Sequence, residues 1–530
     1  ISIKKDVMIK MRDGITLSSN LYQPEGCADL PLILVRTPYG KDYRQEYDVL
    51  GRLICHQGYN VLIQDTRGRY KSEGTFYPFK YEKDDGEDTI EWISQCKWFN
   101  GKIGTFGESY VGYTQWAVAQ NQHIKTLVPM VTGTSMYSIL YENGVLNLHL
   151  ALLYAQYIMG RKNHDLWLAA GKKYFSDMPL EHADVKMRKK SQAFRDWVRY
   201  YDDSHPYWKQ VDFSDTLKTL DKPALFIEGW YDIFISQAFD DFQQLTSNGG
   251  RLSKDSAMII GPWDHIGNHI FKDYIYTDKA SYSGTVYKRI IDWYDYWLKG
   301  VENSTIELLE KPIHMFMSGG NKWCAFNEMP KGVRKTFWMG NRKLDAHKSQ
   351  NQAISTYTYN PAEPSSFKGG KRLFEEAGPS NVAHLLNRET MAWFCTDKLQ
   401  EALTICGRPE VELYASVNAK DIDFIIKLCE IIDEHKWLLL SEGALRARYR
   451  NGVQTSSPLI PGIQYRLVFS LNPIFHRLQK GNKLGIVIAS SDFPRYNRNF
   501  NTYNTFGEGG PMKKVEIKIY PDSNIKLNVV

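Results

Sequence analysis

Apolar, strand-like segments alternate with helical segments through the first third of the chain, and this alternation restricts the possible folds more than any other feature. Nearly continuous apolar strands separated by helices are typical of a parallel sheet that helices cover on both faces, so we predict an α/β domain. The alternation returns between residues 222 and 265. The first predicted strands lie in PLILVRTP (31–38), YNVLIQDTR (59–67), KIGTFGES (102–109) and IKTLVPMV (124–131).

The remaining parts of the chain follow different patterns. Between the two α/β stretches only helical, aromatic-rich segments are recognisable, among them HDLWLAAGKKYF (164–175). Towards the C-terminus, short apolar runs separated by turns are typical of a β-sandwich or jelly roll, and the polar stretch 341–390 predicts long loops. We therefore predict an α/β domain in two parts (1–136 and 221–332), a helical insertion (137–220) and a C-terminal β-sandwich (333–530).

Composition excludes several classes of function. The net charge of +6 arises from 66 basic and 60 acidic residues without a basic, aromatic-rich block, so we expect no nucleic-acid partner. The seven cysteines form no CxxC pair, which predicts neither a metal site nor a disulfide framework, and we expect no cofactor. No apolar stretch approaches the roughly 18 to 20 residues of a membrane span. We predict a cytoplasmic protein without a membrane partner, and homo-oligomer formation stays open.

The segment GESYVG (107–112) joins a predicted strand to a predicted helix. A serine on such a turn, between small residues, is typical of the nucleophile elbow of hydrolases, although the strict GxSxG pattern would need glycine in place of Val111. The turn exposes the hydroxyl, and the helix N-terminus directs backbone N–H groups at a developing oxyanion. We predict Ser109 as the nucleophile, and the alternative is a serine that only caps the helix.

A serine nucleophile needs a histidine and an acid, which we expect after later strands because α/β sites form at the carboxyl ends of strands. Asp232 ends KPALFIEGWYD and His265 ends DSAMIIGPWDH. His265 would accept the proton of Ser109, and Asp232 would orient the imidazole. The nearest rivals are His269 and Asp264, but Asp264 is adjacent to His265 and could not easily orient its ring. The predicted triad is Ser109, Asp232 and His265.

An oxyanion hole needs two hydrogen-bond donors. The backbone N–H of Tyr110, directly after the nucleophile, is one candidate. The second should come from the loop after an early strand, which here reads RTPYGK (36–41). The hydroxyl of Tyr39 is a candidate there, although most tyrosines pack in the core.

Taken together, these residues resemble the cocaine esterase/glutaryl acylase family of serine hydrolases, which is related to the X-prolyl dipeptidyl peptidases. The resemblance extends over nearly the whole chain, and the displaced glycine of GESYVG is the form that this family has. The other matching segments are MRDG (11–14) with Leu17, RTPY (36–39), QDTRG (64–68), SEG (72–74), GWYD (229–232), GPWDH (261–265), SEGALR (441–446), Pro461-Gly462 and DFPR (492–495).

The resemblance implies an α/β-hydrolase domain, a helical cap inserted after the elbow and a C-terminal β jelly-roll domain, with the active site where the three meet. It also implies Ser109, Asp232 and His265 as the triad. Tyr39 becomes the side-chain oxyanion donor beside the backbone N–H of Tyr110.

The resemblance further suggests which residues contact the substrate. Trp230, Tyr231 and Phe234, beside the acid, would line the acyl pocket, and the alternative is that they pack the edge of the sheet. Relatives that hydrolyse α-amino acid esters hold the substrate ammonium with carboxylates, for which Glu108 and Asp264 are the candidates in this sequence.

Three functions are compatible with the sequence. The first is hydrolysis of an ester or amide bond of a small substrate through an acyl-enzyme. The second is an X-prolyl dipeptidyl-peptidase type of exopeptidase, which the absence of an extra N-terminal domain disfavours. The third is a non-catalytic binding protein of the same fold, which the complete triad disfavours.

Overall fold

The first half of the molecule is built on one sheet whose central strands are buried on both faces. The computed structural model describes residues 1–27, 29–43, 45–164, 175–187, 190–348, 353–386 and 389–530. Its strands up to residue 326 are β1 (Ser2–Lys10), β2 (Thr16–Gln23), β3 (Leu32–Thr37), β4 (Asn60–Asp65), β5 (Ile103–Glu108), β6 (Ile124–Met130), β7 (Tyr141–Glu142), β8 (Val145–Leu146), β9 (Leu225–Gly229), β10 (Ala257–Gly261), β11 (Ile313–Met317) and β12 (Lys322–Phe326).

The order of the strands puts the expected site at one edge. Within the described ranges the sheet runs β1-β2-β4-β3-β5-β6-β9-β10-β11-β12. Neighbours from β4 to β11 are parallel, whereas β1, β2 and β12 are antiparallel. Since parallel strands point the same way, the carboxyl ends of β5, β9 and β10 lie side by side, and the loops after them carry the predicted triad.

Helices cover both faces of this sheet, as its fully buried strands require. One face packs against α1 and α9 and the other against α2, α3 and α8. The helices are α1 (Gln45–His56), α2 (Glu82–Ser94), α3 (Tyr110–Val118), α4 (Met136–Leu140), α5 (Leu148–Tyr157), α6 (Gln192–Arg199), α7 (Pro206–Gln210), α8 (Ile235–Asn248), α9 (Tyr282–Tyr294) and α10 (Thr305–Glu310).

Helices α4 to α7 form the insertion between β6 and β9. Asn147 caps α5 by accepting a hydrogen bond from the backbone N–H of Leu150. The hydroxyl of Tyr141 donates to the backbone carbonyl of Trp197 in α6 at 2.7 Å, which ties the parts of the insertion together. Of the helix predicted at 164–175, residues 165–174 lie outside the described residues.

The C-terminal region is an all-β domain around its own apolar core. Its described strands form a mostly antiparallel sheet of thirteen strands, in which β14 and β16 are a parallel pair. They are β13 (Val333–Gly340), β14 (Lys343–Asp345), β15 (Ser355–Tyr359), β16 (Met391–Cys395), β17 (Leu403–Gly407), β18 (Glu410–Val417), β19 (Asp423–Asp433), β20 (Lys436–Arg446), β21 (Tyr465–Ser470), β22 (Ile474–Leu478), β23 (Lys483–Ala489), β24 (Val515–Ile519) and β25 (Asn524–Val529).

The predicted fold class is confirmed: an α/β-hydrolase sheet, a helical insertion and a C-terminal β domain. The predicted limit at 137 falls inside α4, one residue after its start, and those at 221 and 333 fall between α7 and β9 and at the start of β13. As domain boundaries they stay predictions. The stretch 341–390 is not only loops, because β15 pairs with β24 and buries Tyr357 and Tyr359.

Candidate active site

Ser109 lies on a strained turn between β5 and α3. Its φ and ψ are 58° and −123°, a left-handed conformation that non-glycine residues rarely adopt and that surrounding packing must hold in place. Side chains at the two flanking glycines would prevent the turn. A Cβ on Gly107 would come within 2.1 Å of Cγ1 of Val111, and one on Gly112 within 2.5 Å of Cγ2 of Thr132. The small residues of the elbow are therefore required by the close approach of strand and helix.

His265 and Asp232 are joined by a short hydrogen bond. Nδ1 of His265 lies 2.5 Å from Oδ2 of Asp232, and Oδ1 of Asp232 accepts the backbone N–H of Phe234 at 2.7 Å. Burial lowers the pKa of His265, but the charge and hydrogen bond of Asp232 act in the opposite sense and outweigh it, so the pKa is raised. Asp232 is fully buried, so its carboxylate is held in place and orients the imidazole of His265.

Ser109 and His265 line the same cleft. Among the described residues no hydrogen bond joins the Ser109 hydroxyl to His265; such bonds commonly tighten only in the complex with substrate. The three predicted triad residues thus come together at the carboxyl ends of β5, β9 and β10, in the order that the chain predicts.

The hydroxyl of Tyr39 lies beside the elbow. Burial raises its pKa, while interactions with the Tyr154 hydroxyl, the Ser109 side chain and the backbone N–H of Tyr110 act in the opposite sense. The Tyr39 and Tyr154 hydroxyls are 3.1 Å apart. Two donors, the Tyr39 hydroxyl and the Tyr110 N–H, therefore converge next to Ser109, which is the arrangement that an oxyanion hole needs.

A narrow apolar cavity opens beside Ser109. All three parts of the molecule contribute to it: Ser109 from the α/β domain, Leu150 and Trp197 from the insertion and Leu373 from the C-terminal domain. None of the described residues that line it carries a charged side chain. The complete lining is Phe79, Ser109, Tyr110, Tyr113, Met136, Ile139, Leu140, Leu150, Tyr154, Trp197, Ile233, Phe234 and Leu373.

A second, more polar cleft reaches Ser109 from the side of His265. Glu108 lies in its wall and accepts a hydrogen bond from the Tyr282 hydroxyl at 3.2 Å. Although the side chain is exposed to solvent, the protein around the cleft raises the pKa of its carboxyl by desolvation, which His265 and the Tyr282 hydrogen bond partly oppose. This cleft is where a leaving group would reach Ser109 and His265 together.

The three predicted substrate-contacting residues occupy different places. Phe234 lines the apolar cavity, and its ring stacks on that of His265 with centroids 5.7 Å apart. Trp230 donates its indole N–H to the carbonyl of Phe316 in β11, and the Tyr231 hydroxyl lies 2.6 Å from that of Tyr276. Neither lines the cavity or the cleft at Ser109, so both rings pack at the sheet edge, as in the alternative interpretation.

The rival candidates of the sequence have other contacts. The carboxylate of Asp264 accepts hydrogen bonds from the N–H of Ile266 and from the backbone and side chain of Asn268, so it stabilises its own turn. Neither Asp264 nor His269 lines the cavity or the cleft beside Ser109.

Sequence reasoning missed several neighbours of the site. Tyr154 and Leu373 come from regions whose packing no local pattern predicts. Glu228 is buried within β9 and accepts the backbone N–H of Thr132 at 3.1 Å. Its one signal in the sequence is a carboxylate inside the apolar run ALFIEG, four positions before Asp232.

Two negative findings concern the described residues. Among them no group of three or more histidine, cysteine, aspartate or glutamate side chains could hold a metal ion. No helix in the same ranges is long and apolar enough to cross a membrane.

Two family models match successive parts of the chain. X-Pro dipeptidyl-peptidase (S15 family) matches residues 13–267, which include Tyr39, Ser109, Asp232 and His265. X-Pro dipeptidyl-peptidase C-terminal non-catalytic domain matches residues 309–515, within the all-β region and the last strands of the sheet before it.

Individual proteins are similar over nearly the full length. Cocaine esterase from Rhodococcus sp. (strain MB1 Bresler) is 27% identical over 553 residues, covering 94% of this chain and 93% of the relative. An aminopeptidase from a marine sediment archaeon, Thaumarchaeota archaeon, has a TM-score of 0.88 at 20% identity, and an α-amino acid ester hydrolase has 0.87 at 21%; each match covers 100% of this chain and 96% of the other. At this identity the two structures support the fold alone.

Proposed function

We propose that this chain hydrolyses an ester or amide bond of a small substrate with an apolar acyl group. It belongs to the cocaine esterase/glutaryl acylase (CocE/NonD) family of serine hydrolases, which is related to the S15 X-Pro dipeptidyl peptidases. Ser109, His265 and Asp232 would be its triad. The proposal depends above all on one observation: His265, hydrogen-bonded to buried Asp232, faces the same cleft as the strained elbow serine.

The reaction would follow the two-step course of serine hydrolases. His265 takes the proton of Ser109 while the serine oxygen attacks the carbonyl carbon, and the Tyr39 hydroxyl and Tyr110 N–H stabilise the oxyanion. His265 then protonates the departing alcohol or amine, and the acyl group stays on Ser109. A water molecule, deprotonated by His265, attacks this acyl-enzyme and releases the acid.

The apolar cavity supports an uncharged acyl group. Its wall consists of aromatic and aliphatic side chains such as Phe234, Ile233 and Leu150, which favour apolar groups and offer a charged group no partner. The more polar cleft with Glu108 and His265 would receive the leaving group.

An exopeptidase is the second candidate, favoured by the family models that match. Such an enzyme must hold the ammonium of its substrate on the acyl side of the scissile bond. The described lining of the apolar cavity contains no carboxylate, so burying an ammonium there would be costly. For the same reason we rank α-amino acid esters below esters of uncharged acids.

A panel of substrates tests the proposal. We expect p-nitrophenyl esters of butyric and benzoic acid to exceed the matching glycyl and alanyl esters and an alanyl-prolyl coumarin amide in kcat/KM, with turnover abolished in Ser109→Ala. Higher kcat/KM for the prolyl amide would favour the exopeptidase. Equal turnover by wild type and Ser109→Ala would reject the hydrolase mechanism altogether.

A further inference from the structure

A buried carboxyl group, Glu228, lies directly behind the catalytic acid of the proposed function. It is 1% exposed and sits in β9, between β6 and β10 at the centre of the sheet. Its Oε1 accepts the backbone N–H of Thr132 at 3.1 Å, and its Oε2 accepts the N–H of Gly229 at 3.2 Å. Its carboxyl group lies close enough to that of Asp232 for a hydrogen bond if one of the two carries a proton.

These interactions complete a continuous series of polar contacts behind Ser109, Asp232 and His265. The Thr132 hydroxyl donates to the backbone carbonyl of Ser109 at 2.8 Å, while its N–H donates to Glu228. Glu228 contacts Asp232, and Asp232 holds His265. Every member of the triad is thereby connected through the ends of β6 and β9, and Glu228 is the ionisable group that completes the connection.

Two neighbouring buried carboxyl groups cannot both be ionised at low cost, so one of them must carry a proton. Asp232 has the stronger claim to the negative charge, because it accepts Nδ1–H of His265. The donors to Glu228 are the neutral backbone N–H groups of Thr132 and Gly229, and Tyr282 of α9 is a further titratable group in its electrostatic neighbourhood. Burial and the nearby charge of Asp232 raise the pKa of Glu228 well above its usual value.

We propose that Glu228 is a positioning residue, held as a neutral carboxylic acid that donates a hydrogen bond to Asp232 and ties it to the nucleophile turn through Thr132. This inference rests on the proposed function, since it assigns Asp232 to the triad. The donated hydrogen bond holds the carboxylate of Asp232 in place and delocalises its negative charge. It thereby keeps the imidazole of His265 aligned with Ser109. An ionised Glu228 would instead add a second negative charge behind His265.

Two substitutions distinguish a neutral from an ionised Glu228. Glu228→Gln keeps an uncharged donor towards Asp232 and an acceptor for the Thr132 N–H, whereas Glu228→Met keeps the length and removes both. We expect Glu228→Met to lower kcat by roughly 10- to 100-fold with little change in KM, because a misaligned triad loses rate rather than binding. The acid limb of its kcat/KM profile should move to higher pH, because the charge of Asp232 is then concentrated on His265. Glu228→Gln should restore most of kcat and keep the wild-type limb.

The opposite pattern would overturn the proposal. If Glu228 is ionised, both substitutions remove a negative charge and must move the acid limb to lower pH. A Glu228→Met enzyme with wild-type kcat, or a Glu228→Gln enzyme as impaired as Glu228→Met, would also reject it. Asp241→Asn is the matched control: Asp241 is buried and accepts the N–H and hydroxyl of Thr134 away from the triad, so its pH profile should not change.

An infrared measurement decides the protonation state without substrate. The difference spectrum of wild type minus Glu228→Gln near neutral pH should contain the C=O stretching band of a protonated carboxylic acid, and a carboxylate band in its place would overturn the proposal even if Glu228→Met does not fold. If wild type neither turns over esters nor reacts with a fluorophosphonate, the proposed function fails, but the infrared result still decides the state of Glu228.

Discussion

At the level of single residues, the role of the Tyr39 hydroxyl as an oxyanion donor is the part of the mechanism that most needs a test. It interacts with the Ser109 side chain and the Tyr110 N–H, and it would meet an oxyanion only in the transition state. We expect Tyr39→Phe to lower kcat by about 10² to 10³ with a nearly constant KM, because removal of one such donor has an effect of this size. Steady-state kinetics on a p-nitrophenyl ester measures it.

Tyr154 provides the matched control for this substitution. Its hydroxyl lies 3.1 Å from that of Tyr39, and no hydrogen bond joins it to Ser109 in the part of the chain that the structure describes. Tyr154→Phe should therefore have a smaller effect on kcat than Tyr39→Phe. Equal losses in the two variants, or an unchanged kcat in Tyr39→Phe, would remove the Tyr39 hydroxyl from the oxyanion hole.

Asp232, the acid of the proposed triad, should determine how kcat/KM depends on pH. Catalysis needs neutral His265, so kcat/KM is lost as pH falls through its pKa, which Asp232 raises against the effect of burial. In Asp232→Asn, burial still lowers the pKa of His265, but the negative charge that raised it is gone. The acid limb of the kcat/KM profile should therefore move to lower pH. By analogy with other triads, kcat should fall by roughly 10⁴. An acid limb that stays in place would assign the titration to another group.

At the scale of elements, the elbow depends on the close approach of α3 to the end of β6. Gly112→Ala would place a Cβ 2.5 Å from Cγ2 of Thr132, and we expect it to lower the free energy of unfolding by about 1 to 3 kcal/mol. Gly284→Ala, at an exposed position of α9, meets nothing closer than 3.8 Å and should be neutral or stabilising by up to about 1 kcal/mol. Urea denaturation compares them, and equal stability of both variants would contradict the packing argument.

The elements that could be predicted are those with strong local patterns. Buried runs such as LILVRT and NVLIQD predict β3 and β4 because both faces of those strands are apolar. By contrast β2 and α1 have mixed polar and apolar sequences, so tertiary packing decides their structure: β2 buries polar as well as apolar side chains, and α1 buries only three of its residues. The strand β15 was predicted as loop because its partner β24 is more than a hundred residues away.

The same limit applies to the site. Ser109, Asp232 and His265 each stand at the end of an apolar strand, so position in the chain predicts their proximity. Tyr154 and Leu373 reach the cavity through tertiary packing that no local pattern encodes. Trp230 lies next to the predicted acid in sequence, but its side chain turns to β11, because neighbouring residues in an extended turn point in different directions.

At the level of the whole molecule, the apolar cavity beside Ser109 exists only because three parts of the chain meet. Leu373 of the C-terminal domain lines both the cavity and the cleft. We expect Leu373→Ala to lower kcat/KM for a benzoyl ester by roughly 10-fold relative to an acetyl ester, since lost apolar contact affects the larger group more. Ile460→Ala, at an exposed site of the same domain, should leave this ratio unchanged. An unchanged ratio in Leu373→Ala would mean that the acyl group binds elsewhere.

The proposed function requires that the fold activate one serine, Ser109. Reaction of the intact protein with a fluorophosphonate, followed by mass spectrometry of the digested adduct, tests it most directly. We expect a single modified residue, Ser109, with no adduct in Ser109→Ala and a much slower reaction in His265→Ala. Modification of a different serine, or a folded wild type that does not react, would contradict it.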